Sequence, residues 1–160
     1  MNDLATEIKK LLLSKHWSIG VAESLTSGHL QAQITSISGS SEYFVGGLTA
    51  YNIDQKVKLL GVDREHAATV NCVSRRVAQE MAVGARRMFG STIGVATTGY
   101  AEPWPEGNVD SPFALFATDI DGQVKSGRIE AAGRNRIGVQ RFVAEEVLKR
   151  LIEWVGESIG

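Results

Sequence analysis

Apolar residues recur at helical spacing in one stretch of this chain and crowd into short strand-like runs in the next, and the two patterns alternate through roughly its first hundred residues. That alternation constrains the fold more than any single motif does. Strand and helix patterns in succession bury their apolar sides most completely as a sheet covered by helices.

Leu4, Ile8, Leu11 and Leu12 place an amphipathic helix over residues 3–14. The apolar run 17–22 leads into a polar turn, Glu23-Ser24-Leu25-Thr26-Ser27-Gly28, and then a second helix with Leu30, Ile34 and Ile37 as its buried stripe, ended by Gly39-Ser40-Ser41. Residues 43–51 are rich in aromatic and β-branched residues and read as a second strand, with Gly46-Gly47 marking a bulge or a close backbone approach. Short helices at 54–60, stopping at Gly61, and at 64–69 precede a long one. Ser74 is its N-cap, Val77, Met81 and Met88 its buried face, and Gly90 its left-handed C-cap. Residues 92–98 form a third strand.

After a loop containing Pro103, Trp104 and Pro105, Asp121-Gly122 is the strongest hairpin signal in the chain, joining strands 113–119 and 123–131. The last helix, 137–155, buries Val139, Phe142, Val143, Val147 and Leu151, with Glu145–Lys149 and Glu146–Arg150 as i,i+4 pairs on its wet face. The expected fold is a three-layer α/β/α sandwich with a mixed, mostly parallel sheet and a C-terminal hairpin, forming one domain over residues 1–160.

Charge and cysteine content exclude several function classes. Lys and Arg number 17 against 18 Asp and Glu, for a net charge of −1. No global field draws the chain to nucleic acid or to an anionic membrane. The one cysteine, Cys72, cannot close an intrachain disulfide, and no His/Cys cluster has the spacing of a metal site, so neither a metal nor a cofactor is expected. The acid-bearing N-terminus lacks the apolar core of a signal peptide, and a cytoplasmic location is expected.

Open α/β sheets bind ligands beyond the carboxyl ends of their strands. Three polar turns fall there: 23–28, 51–56 and 97–99. Ser24, Thr26 and Ser27 open a helix, where free N–H groups and the helix dipole favour an anion or a developing oxyanion. The same residues also suit simple helix capping. No Gly-x-Ser-x-Gly elbow, P-loop or dinucleotide fingerprint is present. Lys56 beside a serine could serve as general base if burial lowered its pKa; on an exposed helix face it is a solvated charge. Arg128, Arg134, Arg136 and Arg141 form a basic cluster, either a solvated helix face or an anion contact.

The motifs Ala22-Glu23-Ser24-Leu25-Thr26-Ser27-Gly28, Gly39-Ser40-Ser41-Glu42-Tyr43-Phe44, Gly46-Gly47, Ala50-Tyr51, Lys56, Leu60-Gly61-Val62, Val73-Ser74, Gly84-Ala85 and Thr98-Gly99 occur in the order and spacing of one family. Nearly the whole chain resembles the CinA C-terminal domain, the nicotinamide-nucleotide amidohydrolase family, in its stand-alone form. The resemblance implies metal-free deamidation of nicotinamide mononucleotide to nicotinate mononucleotide and ammonia. It implies Ser24 as nucleophile, Lys56 as its base and Tyr51 as a hydroxyl that orients the pair. Thr26, Gly28, Ser41, Thr98, Gly99 and Arg136 would meet the substrate, and amides opening the second helix would hold the oxyanion. The implied partner is a small mononucleotide; a homo-oligomer is compatible with the resemblance.

The chain departs from the family where a glycine-rich stretch should follow Thr98-Gly99: here the residues are Tyr100-Ala101-Glu102-Pro103-Trp104-Pro105-Glu106. Glu102 and Glu106 should weaken binding of a phosphorylated ligand if they face the pocket. Two rivals follow from that loop: a non-catalytic relative that binds a nucleotide or protein partner, and a Ser/Lys hydrolase of another amide.

Overall fold

The computed structural model describes residues 3–158, so Met1 and Asn2 of the N-terminal reading, and residues 159–160 of the expected domain, lie outside the described residues. In chain order the elements are α1 (Asp3–Lys15), β1 (Ile19–Glu23), α2 (His29–Ile34), β2 (Phe44–Thr49), α3 (Ile53–Leu60), α4 (Arg64–Thr69), α5 (Arg75–Phe89), β3 (Ile93–Tyr100), β4 (Phe113–Ile120), β5 (Gln123–Glu130) and α6 (Arg136–Glu157). Local chemistry sets many of these ends. The side chains of Asn52, Ser74 and Asn135 cap α3, α5 and α6 by accepting from the Gln55, Val77 and Gly138 amides. Gly61 and Gly90 end α3 and α5 in the left-handed conformation.

The strands pair in the order β2-β1-β3-β4-β5. β1 is parallel to both β2 and β3, while β4 runs antiparallel to β3 and to β5. Four strands therefore share one direction and β4 alone opposes them, which is the mixed, mostly parallel sheet expected. Asp121 and Gly122 both take positive φ, 49° and 94°, in the two-residue turn between β4 and β5. The bulge at Gly46 is present: Ile19 pairs with Phe44 but Gly20 with Gly46, leaving Val45 as the extra residue.

Helices α1, α2 and α6 cover one face, where Ile8, Leu12, Val143 and Leu148 belong to one core with Val21, Val95 and Phe116. Helices α3, α4 and α5 cover the other, over a cluster dominated by small side chains: Ala22, Ala96 and Ala117 on the strands, Ala78, Ala82 and Ala85 on α5. The small residues let α5 lie close to the sheet. A methyl group at Gly94 would come within 2.1 Å of the Ala82 carbonyl oxygen, and the Phe89 ring occupies the space beside Gly20 and Gly46.

Three details differ from the sequence expectation. α2 stops at Ile34, so Ile37 lies beyond it and is only half-buried. The Thr35 and Ser36 hydroxyls donate to the Gln31 and Gln33 carbonyls at 2.8 Å each, taking acceptors at the helix end. Met88 is 46% exposed, because at the C-terminal end of α5 it is Phe89 that covers the sheet. On α6, Lys149 takes both Glu145 and Glu146, and Arg150 pairs with Glu153 instead of Glu146.

Candidate active site

β2 and β3 flank β1 on opposite sides, so the chain connections diverge at the carboxyl end of β1, a topological switch point where such sheets open a crevice. Ser24 is the first residue past β1. Its amide donates to the Thr97 hydroxyl of β3 at 3.2 Å, and the Thr97 and Thr26 hydroxyls are hydrogen-bonded at 2.8 Å. Thr26 and Thr97 are fully buried, which fixes the turn against the neighbouring strand.

Glu23, also fully buried, turns its carboxylate onto α2 and accepts from the Leu30 and Gln31 amides at 2.9 Å each. The anion that compensates the start of this helix is thus part of the protein. These α2 amides are not free for an oxyanion, contrary to the sequence expectation. In the turn itself, the Leu25 and Thr26 amides have no hydrogen-bond partner among the described residues.

Lys56 sits in the first half of α3 with its side chain turned inward, and only 1% of it is exposed. Its Nζ donates to Ser24 Oγ at 3.0 Å and to the main-chain carbonyl of Tyr51 at 2.7 Å. Burial penalises the ammonium and lowers the Lys56 pKa from its ordinary value, while the nearby Cys72 thiol acts in the opposite sense. The pair therefore has the geometry and the electrostatic bias that an activated serine requires.

Tyr51 contributes in a different way from the one expected. Its carbonyl, not its hydroxyl, holds Lys56, because the two residues straddle the turn between β2 and α3. The tyrosine ring is 53% exposed, and its hydroxyl accepts from Arg136 Nη2 at 2.6 Å. Arg136 Nη1 in turn lies 3.2 Å from the Glu102 carboxylate.

A cavity of about 350 Å³ opens on the pair, lined by Ser24, Tyr51, Lys56, Asn71, Cys72, Thr98, Gly99 and Tyr100 among others. That volume lies at the lower end of the range for small-molecule sites. Thr98 and Gly99 line it, and the Thr98 hydroxyl donates to the Cys72 carbonyl at 2.7 Å. Thr26 does not line it; its hydroxyl is hydrogen-bonded to that of Thr97. Gly28 takes φ 97° to bring the chain into α2 and does not line the cavity.

Ser41 is not part of the site. It is exposed, in the 3-10 turn Ser40–Glu42 that leads into β2, and because β2 is parallel to β1 this turn lies at the amino end of the strands, opposite Ser24.

Sequence reasoning did not single out four residues that shape this site. Glu23 ends β1, whereas Thr97 lies within β3 (Ile93–Tyr100), so residues 97–99 are strand and not the polar turn expected from the sequence. Asn71 and Cys72 adopt left-handed backbone, φ 51° and 62°, in the link from α4 to α5; asparagine favours this conformation, whereas nothing in the residue type of Cys72 marks it. The Thr98 hydrogen bond to Cys72 and one of 2.9 Å from the Cys72 amide to the Ala67 carbonyl hold this link against the cavity.

Fold and site together define a class: an α/β/α domain with a buried serine–lysine pair at the switch point of a mixed sheet. Comparison with known proteins shows the family. The profile of the CinA C-terminal domain matches residues 1–155. The chain is 37% identical over 164 residues to a CinA-like protein of Chlorobium limicola, taking in 98% of this chain and 38% of that protein. It is 38% identical over 153 residues to a CinA-like protein of Synechococcus elongatus, taking in 94% of this chain and 36% of that protein. The chain thus spans little more than a third of these relatives' length.

Among solved structures, the competence damage-inducible protein A of Klebsiella pneumoniae superposes with a TM-score of 0.92 at 26% identity, covering 99% of this chain and 98% of that one. The competence/damage inducible protein CihA of Agrobacterium tumefaciens gives 0.89 at 28% identity, covering 98% and 95%. The chain belongs to the CinA C-terminal domain family. No helix among the described residues is long and apolar enough to cross a membrane.

Proposed function

We propose that this protein hydrolyses the carboxamide of nicotinamide mononucleotide, releasing ammonia and nicotinate mononucleotide through a serine–lysine mechanism. The observation that carries the reading is the 3.0 Å contact between Lys56 Nζ and Ser24 Oγ, with the lysine buried. In its neutral form Lys56 takes the Ser24 proton as Oγ bonds to the carboxamide carbon. The Leu25 and Thr26 amides, next to the nucleophile, are the donors available to the developing oxyanion. Lys56 then returns the proton to the departing nitrogen, the C–N bond breaks and ammonia leaves. Water, deprotonated by the same lysine, cleaves the Ser24 ester and restores the hydroxyl.

The Tyr51 carbonyl supports this cycle because it accepts an N–H from lysine in either protonation state. It keeps the nitrogen in place after the proton has gone. Incubation with nicotinamide mononucleotide and measurement of released ammonia test the proposal, with the Ser24→Ala protein as control. Ammonia release that the control lacks supports it; a folded protein releasing none from this substrate removes it and leaves a binding role or another amide.

A further inference from the structure

We infer that Glu102 sets the charge selectivity of this pocket by occupying, from within the chain, the guanidinium that an anionic ligand group would use. The inference rests on the pocket being a ligand site of the kind proposed above, and it concerns which ligands enter.

Arg136, the first residue of α6, carries a planar set of N–H donors and meets the cavity through Tyr51, which lines it. Nη2 donates to the Tyr51 hydroxyl at 2.6 Å and Nη1 lies 3.2 Å from Glu102 Oε2. Three separate segments are thereby tied together: the turn after β2, the loop after β3 and the start of α6. One end of the tie is Tyr51, whose carbonyl positions Lys56; the other follows directly on Tyr100 and Ala101, which line the cavity.

Glu102 belongs to a loop with its own supports. Trp104 and Val109 exchange main-chain hydrogen bonds of 2.8 and 3.0 Å, and the Trp104 ring lies beside Gly107, where a methyl group would come within 2.2 Å of it. The Trp104 and Tyr100 ring centres are 5.8 Å apart. The carboxylate is consequently presented to Arg136 by ordered backbone.

A carboxylate and a phosphate offer a guanidinium the same paired-oxygen geometry. A ligand phosphate at this arginine has to displace Glu102 or share the cation with it, whereas a ligand without an anionic group leaves the ion pair intact. The pair is also half-exposed, at 47% and 58% for the two side chains, so displacement is within reach of a small ligand. Glu102 then acts as a tunable penalty on anionic ligands and not as a block.

The test is calorimetric binding of nicotinamide mononucleotide, nicotinamide riboside and inorganic phosphate to the Ser24→Ala protein, in which no substrate is consumed. Each is measured with Glu102→Gln, Arg136→Gln and both changes added. From the usual strength of exposed ion pairs, Glu102→Gln should tighten the mononucleotide and phosphate by about two- to five-fold, should not tighten the riboside, and should give no gain where Arg136 is already glutamine. Equal tightening of mononucleotide and riboside, no tightening of either anion, a gain that persists without Arg136, or no binding by any of the three would overturn the inference. The amidase reading fails separately: phosphate showing the Arg136-dependent gain while native protein releases no ammonia from the mononucleotide would retain the charge selectivity and discard that substrate.

Discussion

Lys56 Nζ lies 3.0 Å from Ser24 Oγ, and the only other acceptor it has among the described residues is the main-chain carbonyl of Tyr51, at 2.7 Å. A lysine held this way has no carboxylate to keep it charged, and burial lowers its pKa below the ordinary 10.5. If the neutral amine is the working form, activity rises with pH along one acid limb, with a midpoint below 10.5. The measurement is kcat/KM for ammonia release as a function of pH; a flat profile through the range below that value would count against the base role.

The same shift makes a statement about stability. Because the folded-state pKa is the lower one, the unfolded chain binds more protons between the two values. Stability therefore rises with pH across that window, and below it the full cost of burying the ammonium is present. Lys56→Met removes the titration while keeping much of the volume. In urea denaturation the variant should compare most favourably with the native protein at low pH and lose ground as pH rises toward 10.5.

Thr97 ties the turn that carries Ser24 to β3 through the Ser24 amide and the Thr26 hydroxyl. Thr97→Val keeps the shape and leaves those two groups unpaired in the interior, at a cost of about 1–3 kcal/mol. We expect a lower melting temperature and a kcat reduced more than KM is raised, since the turn that carries Ser24 is loosened. Thr97→Ser, which restores the hydroxyl, should recover most of the activity.

Close packing of α5 on the sheet gives a test independent of chemistry. Gly94→Ala would set a methyl carbon 2.1 Å from the Ala82 carbonyl oxygen and 2.6 Å from the Arg86 amide, so the helix has to move. Overpacking of this kind costs about 1–3 kcal/mol or more. Gly156→Ala, on α6 with open space around the new methyl, should instead stabilise by about 0.5–1 kcal/mol. Paired thermal melts of the two variants check both signs.

Much of the architecture could be read from local signals. The Ser74 cap, the left-handed Gly90 and the Asp121-Gly122 turn depend on neighbouring residues alone, and each appears where residue type placed it. Ile37 and Met88 were misplaced because periodicity does not say where a helix stops or which residue at its end covers the sheet. The closeness of Ser24 and Lys56 depends on the parallel pairing of β1 with β2, which brings the ends of both strands level. Spacing along the chain carries no trace of that; the expectation that turns 23–28 and 51–56 lie beyond the carboxyl ends of their strands places the two residues at one end of the sheet, and the family resemblance pairs them. The role of Tyr51 was hidden for a different reason: every residue has a carbonyl, so side-chain chemistry pointed to the hydroxyl instead. Ser41 fell at the wrong end because a motif match carries position in sequence but no strand direction.

Removal of the Ser24 proton by Lys56 is tested by ammonia release from nicotinamide mononucleotide by the folded Lys56→Arg protein. Arginine keeps the positive charge and much of the reach but does not lose its proton near neutrality. No turnover above that of the Ser24→Ala protein is expected, at neutral pH and up to the native plateau. Substantial turnover by Lys56→Arg, with Lys56→Ala inactive, would contradict it and show that the residue serves only as a fixed charge.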